Sequence, residues 1–144
     1  MAYSIQVTFD ALDPAALSGF WAAALGYNIQ PPPPEYESWD DWATAMGIPE
    51  ENRNDARALV DPDGIGPRLF FQRVPEPKTA KNRVHLDVNA GGGHDADPAA
   101  RIQAVNTHIA KLEQLGARKT AVFEQRGEYW VVMQDPEGNE FCLQ

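Results

Sequence analysis

The same order of structural signals occurs twice in this chain of 144 residues. Each half starts with alternating apolar and polar residues and then an Asp-Pro pair. An amphipathic stretch that ends in Leu-Gly follows, and later an Asp-Pro-x-Gly turn precedes an apolar segment. The turns are Asp61-Pro62-Asp63-Gly64 and Asp135-Pro136-Glu137-Gly138. A repeated order of signals indicates two copies of one supersecondary unit.

Each half is predicted to be a β-α-β-β-β module. The helices are expected to begin after Asp13 and Asp97, since an Asp N-cap followed by Pro suits the first helical turn. Their apolar residues recur at helical spacing, whereas the flanking strands alternate. The single domain 1–144 is then divided into module 1 at 1–74, a polar, proline-bearing linker at 75–82, and module 2 at 83–144.

One helix per module can cover only one face of its sheet, which predicts an α+β fold. We expect the two modules to form a curled mixed sheet of eight strands around a cleft. Phe70 or Gln72 is expected to face this cleft, and so is a row of polar residues: Gln6, Thr8, Asp10, His85, Asp87, Glu140, Cys142 and Gln144. The carboxylates in the row predict a preference for neutral or cationic ligands.

The first half alone carries an insertion, at residues 31–54. Four prolines at 31–34 form a stiff spacer, and Ser38 with Asp41 resembles a capping box. Trp39 and Trp42 then share one face of a short helix. This segment is either a small helix packed on the domain or a lid over the cleft, since loops longer than about 12–15 residues tend to be functional.

Charge and composition exclude several classes of protein. Twelve Lys and Arg against twenty-one Asp and Glu give a net charge of −9, which argues against nucleic-acid partners and anionic membranes. No apolar run reaches the roughly 18 residues needed to span a bilayer. Cys142 is the only cysteine, so no intrachain disulfide forms. The first residues lack the basic and apolar regions of a signal peptide, so we expect a cytoplasmic protein.

Three segments in this paired arrangement resemble the vicinal oxygen chelate superfamily, the glyoxalase/bleomycin resistance/dioxygenase type: residues 13–27, 83–88 and 135–143. Within it the chain is most similar to glyoxalase-like domain proteins, which are common in actinobacteria. Members include glyoxalase I lyases, extradiol dioxygenases, epimerases, fosfomycin-modifying enzymes and metal-free proteins that sequester bleomycin-type antibiotics. The resemblance implies a homodimer, but the fold does not select one of these activities.

The resemblance also implies a divalent metal held by the first and last strands of each module. Carried over onto this sequence, the positions are Gln6, His85 and Cys142, with Glu140 two residues before the last. The enzymes keep glutamate where Cys142 stands, and residues 68–72 contain no carboxylate. Hard divalent ions want anionic oxygen ligands, so no metal cofactor is favoured. If a metal is present, the candidate ligands are Gln6, His85 and Glu140.

Two functions of different classes stay open, besides a domain that has lost its ligand. The first is a metal-independent protein that binds a small molecule and sequesters an aromatic natural product or antibiotic. The second is a metal-dependent lyase or dioxygenase. His85 and Asp87 could form an acid/base dyad, although about 7 Å separates alternate residues unless the side chains lean together. Catalytic residues are not assigned, and the expected ligand contacts are Gln6, Thr8, Asp10, Trp39, Trp42, Phe70, Gln72, His85, Asp87, Trp130, Glu140 and Cys142.

Overall fold

A computed structural model describes residues 1–144. The chain divides into two compact units, Met1–Pro77 and Lys78–Gln144, and the division falls inside the predicted linker. None of the helices combines the length and the apolar character that a bilayer crossing requires.

The first unit has the order β-α-β-β-β, with one helical insertion. Its elements are β1 (Gln6–Ala11), α1 (Pro14–Leu25), β2 (Asn28–Ile29), α2 (Trp39–Ala45), a 3-10 turn (Glu50–Asn52), β3 (Ala56–Val60) and β4 (Arg68–Arg73). The sheet has the order β1-β4-β3-β2, in which β1 runs parallel to β4 and the other pairs are antiparallel.

The second unit repeats this order without an insertion. Its elements are β5 (Asp87–Val88), α3 (Pro98–Gln114), β6 (Arg118–Gln125), β7 (Glu128–Gln134) and β8 (Glu140–Leu143). The sheet has the order β5-β8-β7-β6, with β5 parallel to β8. The α+β fold with two β-α-β-β-β modules is therefore confirmed, and its eight strands form two four-stranded mixed sheets that do not close.

The helices begin where the Asp-Pro pairs predict. The side chain of Asp13 accepts a hydrogen bond from the amide of Ala16 at 3.2 Å, and that of Asp97 accepts one from Ala100 at 3.0 Å. These carboxylates satisfy amide groups that the first helical turn leaves without a partner. Helix α1 ends at Gly26, whose φ of 71° lies in the left-handed region that glycine adopts without strain.

Each long helix buries one face of its own sheet. In the first unit α1 packs on β3 and β4, and the fully buried side chains are Leu17, Trp21, Leu59, Leu69 and Phe71. In the second unit the core under the helix includes Val105, Ile109, Leu112, Val131, Met133, Phe141 and Leu143. Because side chains alternate along a strand, the residues between these core positions lie on the opposite face of the sheet.

The first strand of each module is shorter than its alternation predicts. Ile5 lies before β1 and is 72% exposed, and Val84 lies before β5 and is 80% exposed. Strand β5 is an edge strand whose register with β8 covers only Asp87 and Val88. Leu86 still accepts a backbone hydrogen bond from the amide of Cys142 at 2.9 Å, but Val84 lies beyond the pairing with β8, so alternation alone predicted too long a strand.

Both Asp-Pro-x-Gly segments form tight turns as predicted. The amide of Gly64 donates to the carbonyl oxygen of Asp61 at 3.1 Å, and that of Gly138 donates to the carbonyl oxygen of Asp135 at 2.9 Å. The side chain of Asp135 is buried and accepts further hydrogen bonds from the amides of Glu137 and Asn139 at 2.9 and 3.0 Å. This carboxylate therefore holds together the turn that leads into β8.

Removing the Asp135 carboxylate is expected to destabilise the protein. Asp135→Ala leaves the amides of Glu137 and Asn139 without their acceptor, and a buried unpaired polar group costs about 1–3 kcal/mol. Urea unfolding followed by circular dichroism measures the loss. The matched variant Asp61→Ala removes the equivalent carboxylate from a more exposed turn and should cost less. If both variants lose the same free energy of unfolding, the greater burial of Asp135 does not make its carboxylate the more important one.

Glu140 ties the start of the second unit to β8. Its carboxylate accepts a hydrogen bond from the amide of Asn82 at 2.9 Å and lies 3.0 Å from the ammonium group of Lys78. Burial alone would raise the pKa of this carboxyl, but the hydrogen bonds from Asn82 and Lys78 outweigh it and lower the pKa from 4.5 to about 2.

Glu140→Gln is therefore expected to change the acid dependence of stability. A carboxyl with a lowered folded-state pKa contributes stability above its unfolded pKa of 4.5, and the contribution disappears as the pH falls to about 2. The wild type should be more stable than Glu140→Gln at neutral pH, and the difference should shrink as the pH falls through this window. Urea unfolding midpoints at several pH values test this. A difference that does not change between neutral and acidic pH would contradict it.

Candidate functional site

A cavity of about 410 Å³ lies in the first unit, between α2 and the sheet face that α1 does not cover. Its apolar lining includes Ile29, Trp39, Trp42, Ala43, Ile48, Ala56, Ala58 and Phe70. Ala58 and Phe70 are register partners on β3 and β4, and they alternate with the buried Leu59 and Leu69. The volume is in the range of small-molecule binding sites in proteins.

The insertion supplies the aromatic wall of this cavity. Ser38 caps α2 by accepting a hydrogen bond from the amide of Asp41 at 3.0 Å. The rings of Trp39 and Trp42 meet edge to face with centroids 5.4 Å apart, and Trp39 Nε1 donates to the carbonyl oxygen of Gln30 at 2.7 Å. The helix thus packs on the unit through the buried Ala43 and also covers the cavity.

Three arginines line the same cavity: Arg53, Arg57 and Arg68. Arg68 Nε donates to Gln30 Oε1 and its Nη1 donates to Gln6 Oε1, both at 2.6 Å. Its guanidinium also lies over the Phe70 ring, 5.4 Å from the centroid. Two neutral amide oxygens therefore hold this cation in place.

The two carboxylates of the lining are already paired. Asp40 lies 3.7 Å from Arg53 Nη1, and Asp55 lies 3.4 Å from Nη1 of Arg73, which does not line the cavity. Arg57 donates to the carbonyl oxygens of Arg53 and Ala56. Neither Arg57 nor Arg68 has a carboxylate within 4.0 Å.

The polar row of β1 lies on the same sheet face, beside the cavity. The register pairs Thr8 with Phe70 and Asp10 with Gln72. Gln72 Nε2 donates to Asp10 Oδ1 at 2.7 Å. Phe70 reaches the lining, whereas Thr8, Asp10 and Gln72 do not. The acidic row expected from the sequence does not line this cavity, since β4 places Arg68 there and Asp10 is not among the lining residues.

In the second unit, the open sheet face brings together His85, Asp87 and Cys142. His85 Nε2 lies 3.2 Å from Asp87 Oδ1, so the two side chains do lean together. Strand pairing sets Cys142 opposite Asp87, and the donor atoms of the three residues lie within 4.8 Å of one another. Burial and the negative charge of Asp87 raise the pKa of the Cys142 thiol to about 11, so the isolated site holds a protonated thiol.

The remaining predicted contacts of the second unit, Trp130 and Glu140, have other partners. Trp130, on β7, stacks on Phe123 with ring centroids 5.2 Å apart. Glu140 directs its carboxylate to Lys78 and Asn82.

The residues implied as metal ligands do not form the anionic oxygen cage that Mg²⁺ or Mn²⁺ requires. Gln6 Oε1 accepts a hydrogen bond from the Arg68 guanidinium, and Glu140 is engaged by the Lys78 ammonium. Cationic groups thus occupy the oxygens that such an ion would need. His85, Asp87 and Cys142 offer nitrogen, oxygen and sulfur, which are the donor types of zinc sites.

Sequence reasoning missed all three arginines of the cavity. Arg68 could have been found, because it precedes Phe70 and Gln72 at alternate positions of one strand. Arg53 and Arg57 carry no such signal. They come from the end of the insertion and the start of β3, and only the folded chain brings them beside Trp39 and Trp42.

Comparison with known proteins identifies the fold. The chain matches the family described as "Glyoxalase-like domain" over residues 6–144. Similar solved structures include a glyoxalase/bleomycin resistance protein/dioxygenase family enzyme from Burkholderia phytofirmans PsJN, with 18% identity, a TM-score of 0.59 and coverage of 96% of this chain and 94% of that one. Another is a structure described as a possible glyoxalase from Bacillus cereus, with 12% identity, a TM-score of 0.61 and coverage of 100% and 99%.

A third similar structure is the fosfomycin resistance protein FosX from Listeria monocytogenes, complexed with Mn(II) and 1S,2S-dihydroxypropylphosphonic acid. It shares 10% identity at a TM-score of 0.63, with coverage of 100% of this chain and 90% of that one. A comparison with curated proteins finds no match. Since the family match spans nearly the whole sequence, the chain belongs to the glyoxalase-like domain family. The solved structures show that it has the vicinal oxygen chelate fold.

Proposed function

We propose that this protein is a metal-independent small-molecule-binding protein whose ligand occupies the cavity of the first unit. The observation that carries the proposal is the cavity of about 410 Å³ beneath Trp39 and Trp42. Ligand sites are concave, mostly apolar and equipped with a few oriented polar groups, and this cavity has each of these properties.

The aromatic lining favours a planar ligand. Trp39 and Trp42 are fixed edge to face, and Phe70 lies on the sheet side of the cavity. Trp39 is held by its hydrogen bond to Gln30, so this wall loses little conformational freedom when a ligand binds. A preformed aromatic wall supports the sequestration of an aromatic natural product or antibiotic.

Loss of Trp42 is expected to weaken binding of an aromatic ligand. Stacking on an aromatic ring contributes about 0.5–1.5 kcal/mol beyond the buried area, so Trp42→Ala should raise Kd roughly two- to tenfold or more. A panel of aromatic natural products, titrated against the protein by calorimetry, identifies a binder and measures the change.

Trp130→Ala provides the matched control for this test. Trp130 belongs to the second unit, stacks on Phe123 and is not among the residues that line the cavity. We expect this variant to bind the same compound with wild-type affinity. An effect of Trp130→Ala equal to that of Trp42→Ala would place the ligand elsewhere. Failure of every aromatic compound in the panel to bind would overturn the proposed function.

The second candidate function is a metal-dependent lyase or dioxygenase. The observation that favours it is the group formed by His85, Asp87 and Cys142, whose donor atoms lie within 4.8 Å of one another. Zinc accepts these donor types and would need Cys142 as the thiolate. In FosX from Listeria monocytogenes the bound ion is Mn(II).

Metal analysis separates the two candidates. We expect protein that has been incubated with Zn²⁺ or Mn²⁺ and then desalted to retain less than about 0.1 equivalent per chain, with no difference for His85→Ala. Inductively coupled plasma mass spectrometry measures the content. Retention of about one equivalent by the wild type and its loss in His85→Ala would favour the metal-dependent enzyme. The homodimer and the cytoplasmic location stay predictions from the sequence.

A further inference from the structure

The charge of the cavity is opposite to that of the chain. The protein carries a net charge of −9, yet its cavity in the first unit is lined by Arg53, Arg57 and Arg68. Of the two lining carboxylates, Asp40 lies beside Arg53 and Asp55 lies beside Arg73, which is outside the cavity. Two positive charges, those of Arg57 and Arg68, are therefore left without a carboxylate partner inside an apolar-walled site.

Arg68 is arranged as an anion-binding group. Its hydrogen bonds to Gln6 and Gln30 at 2.6 Å orient the guanidinium but do not neutralise it, because both acceptors are amide oxygens. A guanidinium has five N–H donors, so further donors stay available for an oxyanion. Leaving a partly buried charge without a counter-ion is unfavourable, and a ligand oxyanion would relieve this.

Gln30 couples this cation to the aromatic wall. Its side-chain oxygen accepts from Arg68 Nε, and its backbone carbonyl oxygen accepts from Trp39 Nε1 at 2.7 Å. Arg68 also lies over the ring of Phe70. Gln30 therefore holds the Arg68 guanidinium and the Trp39 ring next to each other.

We propose that the ligand of this cavity is an aromatic compound that carries a carboxylate or a similar oxyanion. Its ring packs against Trp39, Trp42 and Phe70, and its anionic group pairs with Arg68. Arg57, the second lining arginine without a carboxylate partner, adds to the positive potential of the cavity. This inference rests on the proposed function and adds the chemical class of the ligand. It replaces the preference for neutral or cationic ligands that the acidic residues of the sequence predicted.

The test compares 2-naphthoate with 2-naphthamide, two probes of nearly equal shape that differ in charge. Isothermal titration calorimetry at low salt should give a Kd for 2-naphthoate at least about tenfold lower than that for the amide, which corresponds to about 1.4 kcal/mol. Arg68→Gln should remove most of this preference and leave binding of 2-naphthamide within a few-fold of wild type. Retained binding of the amide shows that the cavity is folded in the variant.

Two further variants complete the design. Arg57→Gln should also reduce the preference, which keeps the test valid if Arg68→Gln fails to fold. Arg118→Gln makes the same change in net charge in the second unit and should keep the full preference, since Arg118 lies on β6, in the other unit. The preference should also decline as the salt concentration rises.

The outcomes distinguish this inference from the proposed function. If 2-naphthamide binds as tightly as 2-naphthoate, the anionic ligand class is overturned, whereas an aromatic site sensitive to Trp42→Ala still stands. If the preference survives in both Arg68→Gln and Arg57→Gln, its assignment to these arginines is overturned. If neither probe nor any compound of the aromatic panel binds, the proposed function fails together with the inference.

Discussion

A single long helix can shield only one face of a four-stranded sheet, and the architecture of both units depends on this constraint. In the first unit α1 buries Leu59, Leu69 and Phe71. The strand period of two then turns Ala58 and Phe70 to the opposite face. Apolar side chains on that face would otherwise be exposed to water. The α2 insertion covers part of the face and leaves a cavity of about 410 Å³. The site is thus a consequence of how the core is packed.

Electrostatics gives this cavity its chemical character. Net charge describes the surface as a whole, but the charge of a site depends on which ionic groups already have partners. Asp40 and Asp55 are paired with arginines, whereas Arg68 is held by the amide oxygens of Gln6 and Gln30. A strongly acidic chain can therefore contain a cationic pocket. The insertion and the sheet contribute to it jointly, because Gln30 contacts both Trp39 and Arg68.

The repeated module carries different chemistry in its two copies. On the open face of the second sheet, His85, Asp87 and Cys142 lie together, and burial with the charge of Asp87 keeps the thiol protonated. Glu140, on the same strand as Cys142, stabilises the start of its unit through Lys78 and Asn82. A carboxylate that anchors backbone and pairs with an ammonium group is poorly suited to hold a metal ion as well. The family match identifies the fold, and the occupied oxygens of Gln6 and Glu140 support the proposal that the ligand binds without a metal.

The sequence by itself determined the repeat, the α+β class and the starts of the helices, because caps, turns and alternation are local properties of neighbouring residues. It also identified Trp39, Trp42 and Phe70 as candidate contacts, and all three line the cavity. Only the tertiary structure showed how the insertion is placed: α2 packs on the first unit through Ala43 and also covers a cavity. The positions of Arg53, Arg57 and Arg68, and the loss of Asp10 from the wall, depend on contacts between segments distant in the chain. Local sequence patterns do not reveal such contacts, so the charge of the cavity could not be derived from composition.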